Sequence, residues 1–305
     1  MEKLDLDWIR AHPLPVVGEV KDKDARGRVL VVGGAEFVPG ALRLTGEAAL
    51  RAGAGKLQMA TVRSAAMALA VLVPEAAMIA LPADDEGEIG LEAAGLLRER
   101  LSRCDTLIFG PGMSVGAQTA QLVAALMQMP VDPQTIILDA AALTCAKDLK
   151  PVVAAHHGRV IMTPHHREMS YFTGWDVEEI DRDPMAAAQH VAREFQAIVV
   201  LKSARSVLAA PDGRTTMFEG GSIGLATGGS GDVLAGIIGG MAARGADPWT
   251  AAGWGVFVHG AAGLQLSKEV GEIGFLAREL LPAIPKITSD LLKHKTDPGA
   301  SAQST

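Results

Sequence analysis

The stretch "RVLVVGGAEFVPGALRLTGEAALRAGAGKLQMATV", residues 28–62, decides the fold class. It opens with a short apolar run, 28–32, that stops at Gly33-Gly34. Residues 40–55 follow with helical spacing and end at glycines, and 56–62 is a second apolar run rich in strand formers. Strand, helix, strand at this spacing is one crossover unit of a parallel sheet.

The same rhythm continues outward. Residues 105–109, 135–139, 159–162 and 197–201 read as buried strands, with helices over 118–128 and 184–195. After 201 the pattern changes. Residues 205–218 read as a hairpin around Asp212-Gly213, and helices follow over 231–243, 248–267 and near 275–284. The expected fold is α/β: a three-layer sandwich with a mostly parallel central sheet and helices on both faces. No linker or internal repeat divides the chain. One domain is expected over 1–290, with a disordered polar tail over 291–305.

Composition narrows the function classes. The chain has 305 residues and a net charge of −7, and it lacks a Lys/Arg block, so nucleic acid is not expected as a partner. Cys104 and Cys145 form no metal-spacing pattern and read as reduced thiols. The amphipathic start "MEKLDLDWIR" is not a signal peptide, and no uninterrupted apolar stretch suits a membrane span. A cytoplasmic protein is expected. The apolar helices and few aromatics suit a homo-oligomer.

The chemistry concentrates in "LATGGSGDVLAGIIGG", residues 225–240. Gly228, Gly229 and Gly231 surround Ser230 where a loop becomes a helix. Such a start presents open N–H groups and the positive end of the helix dipole, which suits phosphate. Asp232 in the first turn is either a favourable charge at a helix start or a base beside that phosphate. In parallel sheets ligands bind beyond the carboxyl ends of the strands. There lie Gly33-Gly34, Gly110-Pro111-Gly112, Asp139-Ala140, Thr163-Pro164-His165 and Lys202. Gly55-Lys56 lacks the rest of a P-loop, and 110–116 has the wrong spacing for a dinucleotide fingerprint. Adjacent His165 and His166 point apart, so no metal site is expected. His156 and His157 read as turn residues, and His259 as a core histidine on an apolar helix.

The segments "GRVLVVGGAEFVPGALRLTGEAALRAGAG", "FGPGM", "ILDAAAL", "MTPHHRE", "VVLKSARSVLAAPDG" and "LATGGSGDVLAGIIGGMAARG" occur in that order. Together they resemble the ADP/ATP-dependent NAD(P)H-hydrate dehydratase family, the carbohydrate-kinase-like branch of the ribokinase-like superfamily. The similarity runs from about residue 26 to about 285. It implies phosphorylation, by ADP or ATP with Mg²⁺, of the C6 hydroxyl of NADHX or NADPHX. Loss of phosphate then returns NADH or NADPH. The resemblance implies that Asp232 is the catalytic base and that Gly229, Ser230 and Gly231 form the anion hole. It also implies that Lys202, Ser203, Ala204, Arg205 and Ser206, with Gly231, bind the nucleotide, and that Ala41, Gly112 and His165 contact the hydrated substrate. The epimerase domain often fused to this family has no room here.

The rim departs from the family pattern. Lys202-Ser203-Ala204-Arg205-Ser206 stands for Lys-Gly-Ala-Gly-Thr, and Ser222-Ile223-Gly224 for Asn-Pro-Gly. Asp139-Ala140-Ala141-Ala142 replaces Asp-Ala-Asp-Ala, and His166-Arg167 replaces Pro-Gly in the segment that begins Thr163-Pro164-His165. A small-molecule kinase of the superfamily, or a nucleotide-binding protein without activity, are the competing readings.

Overall fold

The computed structural model describes residues 2–15, 23–129 and 134–293. Within it, the 28–32 run is a strand covered on both sides. Val29 and Val31 enter one apolar cluster, and Leu30 and Val32 enter the other. A strand buried on both faces needs apolar residues at every position, which is why the run lacks polar alternation.

Among the described residues ten strands form one sheet. They are β1 (Glu2–Lys3), β2 (Arg28–Val32), β3 (Lys56–Val62), β4 (Ala76–Leu81), β5 (Thr106–Phe109), β6 (Thr135–Leu138), β7 (Val160–Met162), β8 (Ile198–Leu201), β9 (Ser206–Ala209) and β10 (Thr215–Phe218). The order across the sheet is β1-β10-β9-β8-β7-β6-β5-β2-β3-β4. All neighbours are parallel except β9, which is antiparallel to both β8 and β10. The expected hairpin is therefore the β9–β10 pair.

β3 and β4 extend the sheet to one side of β2, and β5 begins the other side. The strand order thus reverses between β2 and β5, which opens a crevice at their carboxyl ends. The loops there are joined: Gly34 N–H donates to Pro111 O at 2.7 Å, and Ala35 N–H to Gly112 O at 2.8 Å.

The helix Ser230–Ala243 runs beneath the sheet from this end to the start of β2, where a Cβ on Gly27 would overlap the Ala243 carbonyl, and it is buried continuously from Val233 to Ala243. It packs against the helices Gly40–Arg51 and Pro248–Glu269. Its glycines permit the closeness. A Cβ on Gly236 would overlap the Thr45 carbonyl, one on Gly240 the Ala49 carbonyl, and one on Gly239 the Ile108 side chain. The helix therefore sits at a fixed depth, and its N-terminus is delivered to the strand ends.

Three expectations change. Residues 76–81 form an edge strand that the sequence reading omits, because "AAMIAL" is alanine-rich and only partly covered. The helix expected near 275–284 is two, Ala277–Leu280 and Ala283–Lys293, with Pro282 between them lacking the N–H a continuous helix needs. That second helix runs to Lys293, so the tail expected from 291 is helical over its first three residues. Residues 294–305 lie outside the described residues.

Candidate active site

Three consecutive parallel strands end in polar side chains that meet. Asp139 follows β6, Thr163 follows β7 and Lys202 follows β8. Asp139 Oδ1 accepts from Lys202 Nζ at 2.7 Å and from Thr163 Oγ1 at 2.7 Å. The Asp139 side chain is 4% exposed and that of Lys202 20%, so the ion pair is largely withdrawn from water. Ala140, directly after Asp139, has φ 48. A non-glycine residue in the left-handed region costs about 1–2 kcal/mol, a strain typical of functional turns.

The start of the helix Ser230–Ala243 stands over this pair. A Cβ on Gly231 would lie 3.3 Å from Lys202 Nζ and 4.0 Å from Asp139 Oδ2. Gly229 is the N-cap with φ +89, a left-handed turn that any side chain would strain. A Cβ there would also meet Leu44 Cδ1 at 2.6 Å and stand 3.9 Å from Asp232 Oδ2. Ser230 gives its N–H to Thr227 O at 3.2 Å, and its hydroxyl meets His259 Nε2 at 3.0 Å. Both of its polar groups are engaged. The open donors at the helix start are the N–H groups of Gly231 and Asp232, which have no partner among the described residues.

The charges separate the two carboxylates. Burial works to raise Asp139, but the Lys202 ammonium, the Thr163 hydroxyl and the Ala140 N–H overcome it, so Asp139 lies below the ordinary carboxylate value. Burial likewise works to lower Lys202, and Asp139, Glu168 and Asp232 overcome it, so the ammonium is held on. Asp232 has no such partner. Burial first, then the Asp139 charge, push its carboxyl to about 7, with Lys202 opposing. The result is an ammonium and open N–H groups for an anion, beside a carboxyl that changes protonation near neutrality.

A profile for NAD(P)H-hydrate dehydratase matches residues 29–286. The chain belongs to the NAD(P)H-hydrate dehydratase family. It is 46% identical over 284 residues to the ADP-dependent (S)-NAD(P)H-hydrate dehydratase of Xanthomonas campestris pv. campestris, covering 93% of this chain and 94% of that protein. It spans about half the length of other curated relatives, which are named bifunctional NAD(P)H-hydrate repair enzymes. Its structure is similar to a ribokinase-like superfamily protein of Enterococcus faecalis (TM-score 0.81, 26% identity, 95% of this chain and 96% of that one). It is also similar to the ADP/ATP-dependent NAD(P)H-hydrate dehydratase of Bacillus subtilis co-crystallized with ATP/Mg²⁺ (TM-score 0.78, 26% identity, 95% and 98%). The fold is ribokinase-like.

The residues that the sequence singles out fall into three groups on this dehydratase-family fold. Lys202 pairs with Asp139, Gly231 and Asp232 stand beside that pair, and Gly229 and Ser230 belong to the same helix start. His165 joins them through its backbone bridge to Lys202, whose N–H donates to Pro164 O at 2.8 Å. The His165 side chain is a helix cap. Its Nδ1 accepts from the N–H groups of Arg167 and Glu168, both at 3.1 Å, and the Glu168 carboxylate takes the His165 N–H. Gly112 and Ala41 lie together in the β2/β5 crevice. A Cβ on Gly112 would stand 3.1 Å from Ala41 Cβ and 3.2 Å from Gly34 Cα.

The third group follows Lys202 along the chain. Ser203, Ala204 and Arg205 line a cavity of about 230 Å³ with His166, Asp181 and Pro184. The hydroxyls of Ser203 and Ser206 brace the loop: Ser203 Oγ accepts from Arg205 N–H at 3.0 Å, and Ser206 Oγ donates to Ser203 O at 2.9 Å. His166 is the first residue of a helix, and its Nδ1 lies 2.9 Å from Asp181 Oδ1.

Sequence reasoning placed Asp139 and Thr163 at strand ends without assigning them a role in the site. The available signal is a carboxylate closing the apolar run "TIILD" at 135–139. Among the described residues no group of three or more His, Cys, Asp or Glu side chains forms a metal cage, and no helix is long and apolar enough to cross a membrane.

Proposed function

We propose that this chain dehydrates (S)-NADHX and (S)-NADPHX to NADH and NADPH at the cost of ADP or ATP, with Asp232 as the catalytic base. The observation that carries the reading is the position of Gly231 over the buried Asp139–Lys202 pair, one residue before a carboxyl poised at about 7. A base whose pKa matches the working pH is the most effective proton acceptor.

The ring hydroxyl is a poor leaving group until it is phosphorylated. Asp232 takes its proton as the oxygen attacks the terminal phosphorus of the nucleotide. The bond from that phosphorus to the bridging oxygen breaks, and its electron pair leaves with AMP or ADP. The C6–O bond then breaks with its pair on phosphate, and the departing phosphate takes a proton from the neighbouring ring carbon as the double bond returns. The Lys202 ammonium and the Gly231 and Asp232 N–H groups offset the charge on the transferring phosphoryl group. The nucleotide lies along Lys202–Ser206, and the hydrated nicotinamide ring enters the crevice bounded by Ala41 and Gly112, with His165 at its rim. Mg²⁺ enters as part of the nucleotide substrate, held by its phosphates. The Xanthomonas relative's name supports ADP as donor, and the Bacillus structure's ATP/Mg²⁺ supports ATP as a second.

The test follows absorbance recovery at the NADH band with S-NADHX, Mg²⁺ and either nucleotide. Recovery that disappears in Asp232→Asn is expected. Absence of recovery with both nucleotides, or a stable phosphorylated product without NADH, overturns the proposal.

A further inference from the structure

We infer that His259 is a positioning residue for this reaction, anchoring Ser230 and thereby the helix start that carries the Gly231 and Asp232 N–H groups and the Asp232 carboxyl. The inference rests on the function proposed above. Residues 228–231 read Gly-Gly-Ser-Gly, so Ser230 is the only side chain in the turn that can hold it. Glycines leave a backbone free to move unless something else fixes it. Ser230 is buried, 5% exposed, and its hydroxyl meets His259 Nε2 at 3.0 Å. Its N–H is tied to Thr227 O at the same time. One residue therefore joins the incoming loop, the catalytic helix and the neighbouring helix Pro248–Glu269.

Asp232 needs that anchor. Its side chain makes no hydrogen bond or ion pair among the described residues, so its position comes from the backbone. The imidazole suits the task electrically. Burial, aided by the Lys202 charge and opposed by the contact with Ser230, lowers His259 to about 4, so it is neutral at working pH. A neutral ring offers one donor and one acceptor nitrogen and adds no cation to compete for the phosphoryl group. An apolar side chain would fill the same space without holding Ser230.

The experiment compares His259→Leu, which keeps volume and loses the polar atom, with His259→Gln, whose amide reaches the Nε2 position. Misplacing a reacting group by about 1 Å costs up to about 100-fold in rate. We expect His259→Leu to lower kcat roughly tenfold or more with KM for nucleotide and hydrate within about twofold, and His259→Gln to recover most of the loss. Ser230→Ala should lose as much as His259→Leu, and the double variant no more than either; it carries the same test if His259→Leu does not fold. A carbon-13 NMR titration of the Asp232 carboxyl in substrate-free protein reads the position directly. It should move in His259→Leu and stay near the wild-type value in His259→Gln. This titration separates the two claims, because a wild-type protein that dehydrates nothing defeats the proposed function and leaves the titration to judge His259. A kcat within twofold of wild type in His259→Leu, a loss carried only by KM, an unmoved Asp232 titration, or a Gln variant as impaired as Leu overturns the inference.

Discussion

Asp232→Asn should stabilise the protein while abolishing its chemistry. The folded protein holds this carboxyl at about 7, against an ordinary 3.8. Between those values the folded chain keeps a proton that the unfolded chain has released. Stability therefore falls as pH rises from about 4 to about 7 and is level above that. At 1.36 kcal/mol per pH unit, the penalty grows from about 1.5 kcal/mol at pH 5 to about 4 kcal/mol at pH 8. Asparagine has nearly the same shape and carries no charge, so the variant escapes the penalty. The hydrogen-bonding needs of a half-buried amide reduce the gain, and about 2–4 kcal/mol at pH 8 is expected. Urea unfolding of both proteins at pH 5, 6, 7 and 8, with equal slopes, measures the gap. Turnover of the hydrate should fall by about 10²–10⁴-fold in the same variant. A variant no more stable than wild type at pH 8, or a gap that does not shrink toward pH 5, refutes the reasoning that an unpaired, half-buried carboxylate occupies this position.

The same residue sets the pH dependence of the wild type: kcat/KM should rise through an acid limb near pH 7, with about one-tenth of the plateau left at pH 6, in a pH–rate profile at constant ionic strength. Lys202→Met leaves Asp139 buried without its cation and should cost about 3–5 kcal/mol in urea unfolding, together with loss of nucleotide binding by calorimetry. Gly236→Ala drives a Cβ into the Thr45 carbonyl at the helix crossing and should cost about 1–3 kcal/mol in the unfolding midpoint, with KM unchanged at a temperature where the protein stays folded.

The central sheet was legible because its strands are covered on both faces, so apolar runs at 28–32, 56–62 and 135–138 stand out against glycine-rich loops. The edges were not. β4 is half-exposed and rich in alanine, and β1 has two residues whose strand character comes from pairing with β10 rather than from their own composition. The same division runs through the site. Gly229, Gly231 and Asp232 were visible because glycines beside an acid at a helix start have a local physical meaning. Asp139 needed its partner, and Lys202 lies 63 residues away, joined to it only by sheet order. His259 reads as a core histidine on an apolar helix, which is half the answer: no local pattern announces that its ring nitrogen meets Ser230, 29 residues earlier.

The two carboxylates of the site explain how one ammonium produces two different acids. Lys202 is 2.7 Å from Asp139, and Thr163 donates to the same oxygen, so that carboxylate is ionised and spoken for. What remains of the lysine's field only opposes the rise of Asp232, and the fixed charge on Asp139 drives that rise further. Pairs of titratable groups pushed apart in this way mark a division of roles. Asp139 holds the lysine in place at the end of β8, and Asp232 is left with a proton affinity matched to neutral solution. The departures at 203–206 and 222–224 change none of these contacts, since every member sits on a strand end or at the start of a helix. The chemistry can therefore persist while the rim of the nucleotide loop varies, and substitutions at Arg205 should alter nucleotide KM before they alter the pH dependence set by Asp232.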